Sequence, residues 1–98
     1  MKTVVSTKSA PGAIGPYSQG VKIVKPEAML YVSGQIPMDP STGEIITGPV
    51  DQQTRRVLEN VRAIVEEAGF SLGDVVKSTV LLADMADFAA MNQVYAEF

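Results

Sequence analysis

The chain has no cysteine and no histidine among its 98 residues. Without them there is no zinc site of the usual sulfur and imidazole donors. A Ser-His-Asp or Cys-His nucleophile cannot be assembled within it either. Disulfides play no part, so nothing here speaks for an oxidising compartment. Acid–base chemistry falls to carboxylates, tyrosine, lysine, backbone groups or water. The chain also lacks any run of 18 apolar residues, which excludes a membrane-spanning helix. The opening "MKTVVSTKSAPG" has no long apolar core of the secretory kind, so the cytoplasm is the expected compartment. Excess positive charge is missing as well. Eight Lys and Arg against eleven Asp and Glu give a net charge of −3. Phosphate-backbone binders carry a basic patch. Here Lys2, Lys8, Lys22 and Lys25 are spread along the first quarter, and Arg55 and Arg56 sit among acidic residues. They read as ordinary solvated charge, and nucleic acid is not an expected partner.

What is present suits one globular domain over residues 1–98. The apolar fraction is 46%, and a chain of this size buries roughly two-thirds of the surface its unfolded form exposes. "KTVVS" and "GVKIVK" read as strands, the second alternating and β-branched. Pro26-Glu27 reads as a turn into a third strand, "AMLYVSGQI", so that the second and third form a hairpin. Along that third strand Met29, Tyr31, Ser33 and Gln35 share one face, and Ala28, Leu30, Val32, Gly34 and Ile36 the other. One face is core. The other is apolar at one end and polar at the other, which suits a pocket wall or a subunit interface.

"PMDPSTGE" is a dense turn started by Asp39-Pro40, with Gly43 supplying permissive backbone. A helix over "QQTRRVLENVRAIVEEAG" follows, with Asp51 as its cap and Gly69 just past its end. Val57, Val61, Ile64 and Ala68 fall at helical spacing, with Leu58 and Val65 beside them. Arg55–Glu59 and Arg62–Glu66 are spaced as i,i+4 ion pairs. Val75 to Ala83 reads as a fourth strand. Asp84 or Asp87 then caps a second helix whose apolar face is Phe88, Met91 and Tyr95. Strands in runs, with helices to one side, predict an α+β fold with a mixed sheet covered on one face. The chain stops inside that second helix without a terminating residue, and truncation at the C-terminus is expected.

Between the first two strands lies "GAIGPYSQG", residues 12–20. Three glycines and a proline bend the chain tightly around Ile14, which reads as a packing residue, and Tyr17. Tyr17 is either a loop residue packing on the sheet or a phenol presented to a cleft.

Three stretches, "PGAIGPYSQG", "LYVSGQIPMDPSTGEI" and "NVRAIVEEAGFSLGDVVKSTVLLADMADFAAMNQVYAEF", together resemble the RidA (YjgF) family over Ala10–Phe98. The resemblance implies a chorismate mutase-like mixed sheet with two helices on one face. It also implies a homotrimer with ligand pockets in the clefts between subunits. Family members continue with two further strands carrying an active-site arginine and glutamate that this chain does not contain. The implied activity is hydrolysis of reactive 2-imino and enamine acids (2-aminoacrylate, 2-iminopropanoate, 2-iminobutanoate) to 2-oxo acids and ammonia, with no cofactor and no metal. By the same resemblance Tyr17 is the catalytic phenol, facing a cleft. Ser33 and Gly34 supply side-chain and backbone polar groups to the substrate, and Asn92 reaches it from the second helix. On the residues alone, Ser33-Gly34 also reads as a strand-end bulge, and Asn92 as a structural amide. The alternative function is a non-catalytic regulatory protein that binds small carboxylates or oxo acids. An endoribonuclease or translation inhibitor fits the acidic charge and the absence of histidine less well.

Overall fold

The computed structural model describes residues 2–98. The chain divides into two compact units, one ending at Leu30 and the other running over Tyr31–Phe98.

In the first unit, β1 (Lys2–Val5) and β2 (Gly20–Ile23) form an antiparallel pair. Val4 stands opposite Val21 and Val5 opposite Gly20. Valine at three of the eight positions favours the pleated backbone, and Gly20 lets the strands approach beside Val5, whose Cβ lies 3.7 Å from where a side chain would begin. The partner of β2 is therefore β1, not the segment after Pro26. Lys25 takes the left-handed conformation with φ 47°, a costly choice for a residue with a Cβ. Pro26 has no N–H to give a ladder. The turn at 24–27 thus closes no hairpin.

The segments 28–36 and 75–83, expected as the third and fourth strands, carry no strand ladder. Their β-branched composition does favour extended backbone, and Val75 sits at φ −69°, ψ 128°. A ladder also needs a neighbour at hydrogen-bonding distance, which local propensity cannot supply. Among the described residues the sheet is two-stranded, with one further isolated bridge, Met38 to Ile45.

The second unit is organised by two helices, α1 (Val50–Glu67) and α2 (Phe88–Glu97), packed on each other. Asp51 is not the cap of α1. Pro49 holds the N-cap position, and Asp51 lies in the first turn, where its charge meets the positive end of the helix dipole. The C-terminal end follows expectation. Gly69 takes φ 86°. Its N–H donates to the Glu66 carbonyl at 3.0 Å and the Phe70 N–H to the Val65 carbonyl at 3.0 Å, the paired bonds of a Schellman stop. Asp84, not Asp87, is the carboxylate that caps the second helical region: it accepts from the Ala86 N–H at 2.9 Å, opening a short turn over Met85–Asp87 that leads into α2.

The core lies between the helices. Val65, Met91 and Val94 are buried, with Leu58 and Val61 half-buried on the same side of α1. The stripe is rotated from the expected one, since Ile64 and Ala68 are exposed. Likewise Phe88 is 48% exposed, and Val94 takes the place in the core expected for it. The i,i+4 ion pairs do not form. Arg55 pairs across the helices with Glu97 at 2.6 Å, and the Arg62 guanidinium lies 4.6 Å from the Phe98 ring centre. Both arginines thus tie α1 to α2, which a local i,i+4 pair would not do.

Met91 is the largest of the three buried side chains and projects from α2. Truncation of a buried methionine removes transfer energy and leaves a cavity. Met91→Ala is expected to lower unfolding free energy by about 2 kcal/mol or more, read by urea denaturation; a loss within error of zero would mean the helix pair is not the core.

Candidate functional site

The glycine-rich loop leaves Tyr17 exposed. Gly15 sits at φ 123°, a region side chains avoid, and this reverses the chain so that the Tyr17 N–H donates to the Gly15 carbonyl at 2.9 Å. The Tyr17 ring then lies back over Gly15: a Cβ there would stand 3.6 Å from Cε1. The phenol oxygen accepts from the Ile14 N–H at 3.2 Å. Since that bond uses an oxygen lone pair, the phenol keeps its own proton to donate elsewhere. The ring is 62% exposed and forms part of the wall of a shallow, open concavity of about 500 Å³ shared with Val5, Thr7, Lys8, Ser18 and Gln19. Ile14 is not a packing residue, being 88% exposed.

Gln19 builds that concavity, which its sequence position did not reveal. Its Oε1 accepts from the Thr7 N–H at 2.6 Å. Its Nε2 donates to the carbonyls of Thr7 at 3.0 Å, Ala10 at 3.2 Å and Pro11 at 2.7 Å. The amide pairs with both backbone groups of Thr7, as a neighbouring strand would, and gathers residues 7–11 around itself. The one signal in the sequence is an amide placed directly before Gly20 and a strand.

The other expected residues lie in the second unit. Ser33 and Gly34 are exposed. The Ser33 carbonyl accepts from Gln35 Nε2 at 3.3 Å. A Cβ built on Gly34 would meet nothing within 4 Å, so its backbone is open to approach. With no ladder at 28–36, the pair is not a strand bulge. Asn92 is half-buried on α2, beside the buried Met91. One turn on, the hydroxyls of Tyr95 and Ser78 are hydrogen-bonded, tying the 75–83 segment to α2.

Residues 37–46 form a tight turn ahead of α1. Asp39 accepts from the Ser41 hydroxyl at 2.6 Å and the Ser41 N–H at 2.8 Å. The Ser41 hydroxyl, then the Ser41 N–H and the Arg56 charge, hold the Asp39 carboxyl below the usual carboxylate range. Gly43 takes φ 73° and the Ile46 N–H donates to the Pro37 carbonyl at 2.8 Å. Among the described residues no group of three carboxylates stands ready to hold a metal ion, and no helix is long and apolar enough to cross a membrane.

These features define a small α+β protein with two helices and a two-stranded sheet. The pattern of the endoribonuclease L-PSP family matches residues 7–98. A RutC family protein of Pyrococcus horikoshii is 57% identical over the whole chain, which covers 75% of that protein. The human 2-iminobutanoate/2-iminopropanoate deaminase is 45% identical over the whole chain, which covers 69% of it. Among solved structures, Escherichia coli TdcF with bound serine superposes with a TM-score of 0.69 at 50% identity, over 97% of this chain and 72% of that one. The chain belongs to the endoribonuclease L-PSP family, the RidA (YjgF) family its motifs resemble.

The Gln19 cluster generates a local test. Glu at position 19 would keep the length but set a carboxylate against three carbonyls, leaving them without their donor. Gln19→Glu is expected to speed hydrogen exchange at the Thr7 amide by about tenfold or more. An unchanged rate would show that the loop holds itself.

Proposed function

We propose that this protein is a deaminase that hydrolyses reactive 2-imino acids to 2-oxo acids and ammonia. Its membership of a family that includes a 2-iminobutanoate/2-iminopropanoate deaminase at 45% identity carries this reading. In the reaction the imine nitrogen is protonated, and water adds to C2 with formation of a C–O bond. A proton then passes to the nitrogen, the C–N bond breaks, and ammonia leaves as the C2 carbonyl forms. A protonated imine is already a strong electrophile. The protein's part is to hold it, present water and move protons.

Tyr17 is the proposed proton donor, supported by a phenol oxygen that already accepts a hydrogen bond and by its place on an open concavity. Ser33 and the open backbone of Gly34 are proposed substrate contacts, and Asn92 a further amide contact. The family pattern runs through both compact units, and we read residues 1–98 as working within one domain. The exposed apolar residues of the second unit, Tyr31 at 84% and Leu81 at 91% among them, support assembly into a homotrimer with pockets between copies, since soluble monomers rarely carry such surfaces.

A serine-bound family structure favours a second reading, a regulatory protein that binds small carboxylates without turnover. The family's description as an endoribonuclease finds no support in a chain of net charge −3 without histidine.

Ammonia release from a 2-imino acid generated in situ from threonine by a pyridoxal-phosphate dehydratase decides between the first two. Extended by the family's two further strands, the chain is expected to accelerate release more than residues 1–98 alone, and Tyr17→Phe to lower kcat by about 10²-fold. No acceleration, with binding of 2-oxobutanoate retained, would establish the regulatory reading. Light scattering at micromolar concentration is expected to give three times the chain mass; a monomer would refute the assembly.

A further inference from the structure

We infer that Asn60, on α1, is a positioning residue that fixes the polar pair Ser33-Gly34 for the substrate carboxylate, an inference that rests on the small-carboxylate reading above. Ser33 and Gly34 lie in a segment with no strand ladder. The hydrogen bond at that pair is a local one, from Gln35 Nε2 to the Ser33 carbonyl. The segment is anchored further along. Asn60 Nδ2 donates to the Met38 carbonyl at 2.9 Å and reaches the Ile36 carbonyl at 3.4 Å. Between them, the Pro37 carbonyl is taken by the Ile46 N–H. Three successive carbonyls are thus held: Asn60 serves that of Met38 and adds a longer bond to that of Ile36, which also accepts from the Met38 N–H at 2.7 Å.

The chemistry requires an amide at this position. Asn60 Oδ1 accepts from Arg56 Nη2 at 2.9 Å. Guanidinium offers only donors and the two carbonyls only acceptors, so the amide has a single consistent orientation. The neighbouring charge polarises it and strengthens the bonds its Nδ2 gives. Arg56 is itself held, with Nη1 3.5 Å from Glu59. Asn is a poor residue for the middle of a helix, and its half-buried place in α1 is accounted for by these bonds. Ser33 sits three residues before the first anchored carbonyl, so movement at Ile36 is passed along a short piece of chain.

Asn60→Asp keeps the shape and the Arg56 partner but removes the donor. In the full chain it is expected to raise the Kd for 2-oxobutanoate and the KM for the imino acid by about tenfold each, with kcat changed less than about twofold. Unchanged Kd and KM in folded protein, with only the melting temperature lowered, would overturn the inference. If the variant does not fold, the wild-type protein carries the test by NMR. Titration with 2-oxobutanoate should shift the Asn60 side-chain amide together with the backbone amides of Ser33 and Gly34, and an unmoved Asn60 amide overturns it. Wild-type protein that binds 2-oxobutanoate but releases no ammonia removes the deaminase reading alone. Wild-type protein that does not bind it overturns both.

Discussion

Much of this chain has no strand ladder, so its backbone carbonyls take their donors from elsewhere. That constraint explains the two side-chain amides on which the loops are built. Gln19 stands in for a strand beside Thr7 and collects the carbonyls of Ala10 and Pro11 as well. Asn60 does the same for Ile36 and Met38 from the side of a helix. Both sites need donor and acceptor on one planar group, which neither a carboxylate nor a hydroxyl of that reach supplies. Glycine completes the arrangement at the first site, because Gly15 alone can adopt the backbone that lays Tyr17 over it.

The same logic separates what was legible in the sequence from what was not. Both helices, the Gly69 stop and the Asp39–Gly43 turn depend on residues within a few positions of one another. Spacing and turn chemistry suffice to read them. The segments 28–36 and 75–83 have strand composition, but pairing is a relation between distant stretches. Composition cannot say which partner is present. The arginines make the same point: Arg55 is spaced for Glu59 and binds Glu97, forty-two residues away. Of the candidate residues, Tyr17 stood out in the sequence because its loop is strange. Asn60 was not, since one polar residue within an amphipathic helix looks like its solvated neighbours until its contacts are known.

A protein without histidine or cysteine still has to move protons if it is to hydrolyse an imine. The demand is modest. Protonation of the imine creates the electrophile, and water is both the nucleophile and the solvent. A phenol whose oxygen is engaged by a backbone N–H has its remaining proton directed away from that bond. Such a group can hydrogen-bond a developing amine without becoming a permanent charge beside the substrate. An open concavity suits this chemistry better than a closed one, since water must enter and ammonia must leave. The cost of openness is weak hold on the substrate. The backbone around Tyr17 is held by Gln19, which ties down residues 7–11. A loosely held loop would spend binding energy on ordering itself, while one already fixed by its own amide can place its phenol or its N–H at no further entropic cost.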